Sequence, residues 1–262
     1  MVNHSILLER LTDIGIQDIC TLTTILPKLL PNFLTNNSYI SFSGCILQMY
    51  CYMMCVDTEI LLLTAMAFDR YVAICNPLRY TIIMNKRVCV LLAAVTWVTG
   101  SLETLPHTVV ISQFSFCNSN VINHFFCEIT AVLKLSCTDT FVLDTMILAA
   151  SVISGLTPFL LTLTSYVFII STILKIRSAE GKSKAFSTCF SHLIVIILLY
   201  GTMIGIYMEP SSGDSTKSNK LPTAVYIFTL PLLNPLIYSL RSKELKVALK
   251  KALSRKPKYV SH

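Results

Sequence analysis

Long stretches without a charged side chain decide what this chain can become. Residues 221–240 carry no charge, residues 185–208 carry none, and residues 141–174 carry only Asp144. A helix of about 20 apolar residues crosses the roughly 30 Å hydrocarbon core of a bilayer, and it satisfies its backbone hydrogen bonds internally. These stretches therefore predict membrane-spanning α-helices.

Further apolar stretches raise the predicted number of spans to six. One of them is weaker, because Asp13, Asp18 and Lys28 interrupt it. Only 13% of the 262 residues are charged, against about a quarter in a soluble domain, which excludes a soluble enzyme. We therefore predict one all-α transmembrane domain, residues 1–262, with spans at 11–33, 39–70, 88–107, 141–174, 185–208 and 221–240.

Most basic residues lie on one side of the predicted spans. Of the 21 Lys and Arg, four fall in 70–87, four in 175–184 and eight in 241–258. Cytoplasmic loops carry such an excess, so these segments are predicted to face the cytoplasm. Residues 242–254 place apolar side chains at helical spacing between lysines, which predicts an amphipathic helix on the inner leaflet. Nucleic acid is not an expected partner, because stacking aromatics are not interleaved with the basic residues.

The segments predicted to lie outside carry cysteines and a glycosylation sequon. Asn36 begins an Asn-Asn-Ser sequon and is a candidate glycan acceptor. Cys45, Cys117, Cys127 and Cys137 fall at or between the outer ends of spans, where disulfides form. Four cysteines permit three pairings, and their spacing cannot select one.

Four motifs resemble one receptor family. Residues 66–80, MAFDRYVAICNPLRY, resemble the MAFDRYVAICxPLxY signature of odorant receptors, a branch of the rhodopsin-like G-protein-coupled receptors. Ser165-Tyr166 with 172–174, residues 184–193, and residues 231–241 with their Asn-Pro-x-x-Tyr are similar to the same family in the same order. The resemblance covers about residues 18–253 and implies a rhodopsin-like helical bundle.

The N-terminal region departs from the family pattern. Residues 18–20 align with the second helix of the family, and Glu9 and Arg10 fall inside that expected span. The first helix has no counterpart, so we expect six of the usual seven transmembrane helices. Our hypothesis is that residues 1–15 come from a wrong start, a spliced fragment or a decaying gene.

The resemblance assigns G-protein coupling to the cytoplasmic ends of the helices. Asp69 and Arg70 form a breakable latch at a helix end where an Arg side chain can reach water. When the family's sixth helix swings outward, Arg70 meets the G protein, and Tyr166 and Tyr238 steady the open form. The implied coupling and activation residues are Asp69, Arg70, Tyr71, Tyr166, Asn234, Pro235 and Tyr238.

Polar side chains at membrane depth predict a second site. Asp18, Glu59 and Asn234 come together in similar receptors, and intramembrane carboxylates are rare and commonly functional. They could hold a sodium ion that favours the inactive form, or both acids could be protonated in a hydrogen-bonded network. Both alternatives stay open.

The candidate ligand site is a largely apolar space between helices. Tyr200, Met203, Ile204 and Tyr207 follow the spacing of one helix face, and such a space with a few polar groups suits a small ligand. Asp57 could favour an amine or another hydrogen-bond donor. The predicted ligand-binding residues are Tyr52, Met53, Val56, Asp57, Ser151, Ser154, Tyr200, Met203, Ile204 and Tyr207.

The resemblance also implies the disulfide pairing, Cys45 with Cys127 and Cys117 with Cys137. His124 beside Cys127 and Glu128 suggests a metal site, but a disulfide-bonded sulfur is not a thiolate ligand, so no metal is predicted there. Apart from the sodium ion at Asp18 and Glu59, no cofactor is expected.

The predicted function is an odorant receptor that binds a small odorant in the outer half of the bundle. Its expected partners are the lipid bilayer and a stimulatory G protein that raises cyclic AMP. Its expected location is the plasma membrane of olfactory sensory neuron cilia. The alternatives are a signalling-incompetent receptor fragment and an ion-conducting or transport protein. The chain lacks HExxH and GxSxG motifs, so an enzyme is not predicted.

Overall fold

The computed structural model describes residues 4–35, 39–117, 121–122, 124–207, 227 and 229. Its helices are α1 His4–Thr35, α2 Phe42–Cys75, α3 Tyr80–Ile83, α4 Lys86–Ser112, α5 Ile129–Leu133, α6 Phe141–Ala150, α7 Thr157–Lys175 and α8 Ala179–Tyr207. A 3-10 turn, Pro77–Arg79, precedes α3, and a π-helical stretch, Ser151–Leu156, joins α6 to α7.

Four helical rods among these residues are long and apolar enough to cross a membrane: Phe42–Cys75, Lys86–Ser112, Phe141–Lys175 and Ala179–Ile204. They correspond to the spans predicted at 39–70, 88–107, 141–174 and 185–208, and the all-α membrane fold is confirmed. The charged stretch predicted at 11–33 lies within α1 but is not among the four. Except for residues 227 and 229, the predicted span 221–240 and the surface helix 242–254 lie outside the described residues.

Polar side chains start several of the helices. The Ser41 hydroxyl accepts from the backbone N–H of Gly44 at the start of α2, and the Asn85 side chain accepts from Val88 N at 3.1 Å at the start of α4. Each bond satisfies one of the backbone donors that a helix leaves unpaired in its first turn. The chain can therefore begin new helices directly after short loops.

The rod formed by α6 and α7 changes its winding ahead of Pro158. A proline has no backbone N–H, so a carbonyl one turn earlier loses its usual donor. The π-helical stretch lies at this point, and the Thr157 hydroxyl donates to the carbonyl of Val152 at 3.0 Å. π-helical insertions of this kind are frequent at functional sites.

Helix α2 occupies the centre of the described bundle and packs against α1, α4, α7 and α8. The Gln17 amide of α1 donates to the carbonyl of Cys55 at 2.6 Å, and the Gln48 amide of α2 donates to the carbonyl of Thr24 at 3.0 Å. Along α1 the bonded residue moves from 17 to 24, while along α2 it moves from 55 to 48. α1 therefore runs antiparallel to α2. The buried apolar clusters consequently lie along α2, at its outer and inner ends.

The closest approach between α4 and α2 occurs at Gly100. A Cβ at this position would stand 2.6 Å from the Thr58 hydroxyl and 3.2 Å from the carbonyl oxygen of Met54. The hydroxyl can rotate away, but the backbone carbonyl can move only if the helices separate. The absence of a side chain at Gly100 therefore sets the distance between these two helices.

Replacing Gly100 with Ala is expected to lower the free energy of unfolding by about 1–3 kcal/mol, because the added methyl group overpacks the interface. The measurement is the thermal midpoint of detergent-solubilised protein. Gly201→Ala is the matched control, since nothing lies within 4 Å of a Cβ at that helical position. Equal midpoints for the two variants would contradict this account of the α2–α4 contact.

Candidate ligand and coupling sites

The inner end of α2 buries an acid and a base side by side. Asp69 and Arg70 are 2% and 3% exposed, and Arg70 Nε lies 4.0 Å from Asp69 Oδ2. The Tyr80 hydroxyl of α3 donates to Asp69 Oδ1 at 2.9 Å. Arg70 Nε and Nη1 have no hydrogen-bond partner among the described residues. In this arrangement no protein in the cytoplasm can reach the guanidinium.

A hydrogen bond between two buried side chains joins α7 to α8 near this acid–base pair. The Tyr166 hydroxyl lies 2.7 Å from His192 Nδ1, and both side chains are buried. Tyr166 and Ala67 of α2 belong to one apolar cluster with Cys189 and Ile196 of α8. Movement of α8 away from the bundle must therefore disrupt both this bond and this cluster.

Aromatic and sulfur contacts fasten α7 to the inner end of α2. The rings of Tyr71 and Phe168 meet edge to face with centroids 5.9 Å apart. Cys75 Sγ lies 3.2 Å from the hydroxyl oxygen of Thr172. α7 is thus fastened to the inner end of α2. α8 is the neighbouring helix, joined to α7 by the Tyr166–His192 bond.

Sequence reasoning missed Tyr80 and His192 as members of this site. Tyr80 closes the signature motif at residues 66–80, but its contact with Asp69 depends on the turn at Pro77–Arg79, which side-chain spacing does not predict. His192 stands in the segment 184–193, and a histidine inside an uncharged span is the signal that could have identified it.

The outer half brings four predicted ligand residues together. Tyr52 and Val56 of α2 and Tyr200 and Met203 of α8 are half-buried around one apolar cluster. The Tyr52 ring lies 4.6 Å from that of Phe126, in the loop before α5. The site thus has walls from α2 and α8 and a cover from this loop.

The other predicted ligand residues lie elsewhere. Met53 packs on the neighbouring outer cluster with Cys45 and Cys127, and Ile204 is 52% exposed on α8. Tyr207 is the last residue of α8, and its side chain lies outside the described part of the chain. Asp57 belongs to a different contact, because its Oδ2 accepts from the Thr104 hydroxyl of α4 at 3.1 Å.

The serines predicted for the ligand site lie in the π-helical stretch. Ser151 is exposed and Ser154 is buried. Their hydroxyls donate back to the carbonyls of Ile147 and Ala150, each at 2.8 Å. The π-helical stretch contacts α2.

Disulfides hold the covering loop. Cys45 at the top of α2 is bonded to Cys127, and Cys117 is bonded to Cys137, with Cα–Cα distances of 5.4 and 6.0 Å. These are the two pairs implied by the family resemblance. Gln48, which sequence reasoning missed, accepts from the backbone N–H of Cys127 at 3.1 Å. The loop is therefore fixed over the outer cluster by a covalent bond and a hydrogen bond.

The predicted sodium site is described only in part. Asp18 on α1 and Glu59 on α2 are both 6% exposed, and the sodium ion stays a prediction. Asn234, Pro235 and Tyr238 lie outside the described residues, as does the sequon at Asn36. Among the described residues, no group of three His, Cys, Asp or Glu side chains is arranged to hold a metal ion.

The bundle, its outer apolar cluster and its buried inner acid–base pair define a helical membrane protein of the rhodopsin-like receptor type. The chain belongs to the olfactory receptor family, whose model, described as "Olfactory receptor", matches residues 4–256. It is therefore a G-protein-coupled receptor of the odorant-sensing kind, resides in a membrane, and is not an enzyme.

Individual receptors are similar over nearly the whole chain. Human olfactory receptor 2K2 is 48% identical over 252 residues, which cover 96% of this chain and 79% of that receptor. Human olfactory receptor 13F1 is 47% identical with the same coverage. Mouse olfactory receptor 8U3 is 42% identical over 252 residues, again 96% of this chain and 79% of that receptor.

The bond between Tyr166 and His192 can be tested by a double-mutant cycle. Tyr166→Phe and His192→Leu are each expected to lower stability, because each removes the hydrogen bond between these two buried side chains. Combined, they should destabilise by less than the sum, with a coupling of about 0.5–3 kcal/mol. Thermal midpoints of the ligand-free protein give the comparison.

The control cycle pairs His192→Leu with Ser171→Ala, an exposed position whose hydroxyl bonds within its own helix. These two changes should add. Additive losses for Tyr166 and His192 as well would show that the two side chains are energetically independent.

Proposed function

We propose that this receptor binds a small, largely apolar odorant between α2 and α8 in the outer half of the bundle, and that binding activates a stimulatory G protein. The proposed location is the ciliary membrane of olfactory sensory neurons, where cyclic AMP is the signal. The observation that carries the proposal is the buried Arg70, which lies on α2, the helix that also forms one wall of the outer cluster, and is out of reach of a partner.

The character of the outer cluster supports the ligand class. Its walls are the half-buried side chains of Tyr52, Val56 and Met203, which can exchange contacts with each other for contacts with a guest. A ligand of this kind gains affinity mainly by leaving water. Few polar groups are needed to orient such a ligand, and the hydroxyl groups of Tyr52 and Tyr200 supply them.

Tyr200 connects the proposed ligand site to the rest of the bundle. Its ring meets that of Phe159 on α7 edge to face, with centroids 4.9 Å apart. It also packs against both the outer cluster and the inner cluster around Tyr166. A ligand that displaces Tyr200 therefore changes the packing of α8 in the outer cluster and in the inner cluster.

The signal follows from a difference in affinity. A ligand shifts the receptor toward the open state only if it binds that state more tightly. In the arrangement described here, the Asp69 contact, the Tyr166–His192 bond and the inner cluster favour closure. The ligand must offset these contacts before Arg70 can meet the G protein.

Arg70→Ala is expected to abolish odorant-evoked cyclic AMP while leaving surface delivery intact, because the guanidinium is the proposed contact with the G protein. The measurement is cyclic AMP in cells expressing the stimulatory or an inhibitory G protein, with surface labelling in parallel. Arg87→Ala, at an exposed position in the first turn of α4, is the matched control and should respond like the wild type. Full signalling by Arg70→Ala, or signalling through the inhibitory protein alone, would contradict the proposal.

A further inference from the structure

We infer that the ligand of this receptor carries a protonated amine, which is held between the carboxylates of Asp57 on α2 and Glu103 on α4. This inference rests on the proposed odorant function and names the chemical class of its ligand. Two acids at membrane depth, facing each other across a helix interface, are the juxtaposition that leads to it.

The two acids meet at the α2–α4 contact. Thr104, the residue after Glu103, donates its hydroxyl to Asp57 Oδ2 at 3.1 Å, and Asp57 and Glu103 are close enough to interact electrostatically. Both side chains are half-buried. Two like charges repel strongly where the dielectric constant is low. The pair must therefore bind a proton or a cation when the helices are packed in a bilayer.

The protein does not supply that cation within the described residues. Neither Asp57 nor Glu103 forms an ion pair with a basic side chain there. The basic residues of α4, Lys86 and Arg87, stand in its first turn, about 24 Å from Glu103 at 1.5 Å per residue. The compensating charge must therefore come from outside the described part of the protein.

A buried ring nitrogen one helical turn along α4 from Glu103 indicates a donor-rich cation. His107 Nδ1 lies 2.8 Å from the carbonyl oxygen of Glu103; since a carbonyl only accepts, Nδ1 carries the proton. In the tautomer that makes this bond with Nδ1, Nε2 is the acceptor of the ring. The ring is 5% exposed on the α4 face that also carries Gly100 and Thr104, and Nε2 has no hydrogen-bond partner among the described residues.

The π-helical stretch lies at about the same level and carries one buried hydroxyl group, that of Ser154. Thr64 of α2 lies 3.5 Å from the carbonyl oxygen of Pro158, an offset of 94 residues between these parallel helices. The same offset sets Asp57 level with Ser151. Ser151 is exposed, but Ser154 is buried, and its hydroxyl hydrogen is engaged by the carbonyl of Ala150, so only the oxygen lone pairs of Ser154 are left for a ligand.

These hydrogen-bond acceptors favour an ammonium group over a metal ion. A primary ammonium has three N–H donors and one positive charge, which suits two carboxylates of which Asp57 already accepts one hydroxyl donor. No group of three metal-ligating side chains occurs among the described residues. The alkyl part of the ligand would lie toward the apolar cluster with Tyr52 and Val56, on the same helix as Asp57.

The test compares hexylamine with 1-hexanol, which match in length and differ in charge. In wild-type receptor, hexylamine should evoke cyclic AMP at a concentration about tenfold or more below that of the alcohol, the equivalent of one charge-assisted contact. Asp57→Asn and Glu103→Gln should each remove this preference. Asp144→Asn, an exposed acid on α6, is the matched control and should retain it.

A second measurement decides the matter if a variant does not reach the surface. Hexylamine should raise the thermal midpoint of purified wild-type receptor, and 1-hexanol at the same concentration should not. A response to uncharged odorants without any amine preference or midpoint shift would overturn this inference, since the acids then only share a proton. That result would leave the proposed odorant function standing. In contrast, loss of G-protein signalling with every odorant, despite an amine-induced rise of the thermal midpoint, would contradict the proposed function alone.

Discussion

The packing of four helices around α2 is the interaction on which the described structure depends. α2 contributes residues to all four buried apolar clusters, and its polar side chains make the bonds to α1, α3, α4 and the covering loop. Because side chains on a helix point outward in all directions, one helix can contact all of these neighbours at once. A change at any level of α2 is therefore felt by several helices.

This central position explains how a ligand at one end can act at the other. α8 touches α2 through Tyr200 and Met203 in the outer cluster and through Cys189 and Ile196 in the inner cluster. α7 is tied to α2 at the level of Thr64 and again at Cys75. α7 is thus fixed to α2 at two levels, and α8 is joined to α7 by the Tyr166–His192 bond. The receptor account therefore needs only one helix to move.

Much of the fold could be predicted because its cause is local. A membrane demands long apolar helices, so the uncharged stretches at 141–174 and 185–208 predict the rods, which the structure places at Phe141–Lys175 and Ala179–Ile204. The family resemblance supplied the inner site, since Asp69, Arg70 and Tyr166 stand inside quoted motifs. Both predictions rest on information carried by contiguous residues.

The remaining contacts of the site depend on which helix each side chain faces. The spacing of residues along the sequence does not predict which helix that is. Tyr200 and Met203 of the predicted apolar stripe pack against one cluster, yet Asp57, one residue after Val56, turns to α4 instead of α8. Glu103 and His107 were not predicted because α4 carries no motif around them. Tyr80 reaches Asp69 only through the geometry of an irregular turn. These contacts are set by tertiary packing and follow only from coordinates.

The most direct test of the account measures whether the inner ends of α2 and α8 separate when a ligand binds the outer half. Spin-labelled noncanonical amino acids at Leu78 and Lys184, which are 95% and 76% exposed, would report the distance between the turn after α2 and the first turns of α8. The account predicts that an activating odorant lengthens this distance by several ångströms. An unchanged distance in receptor that raises cyclic AMP would contradict it.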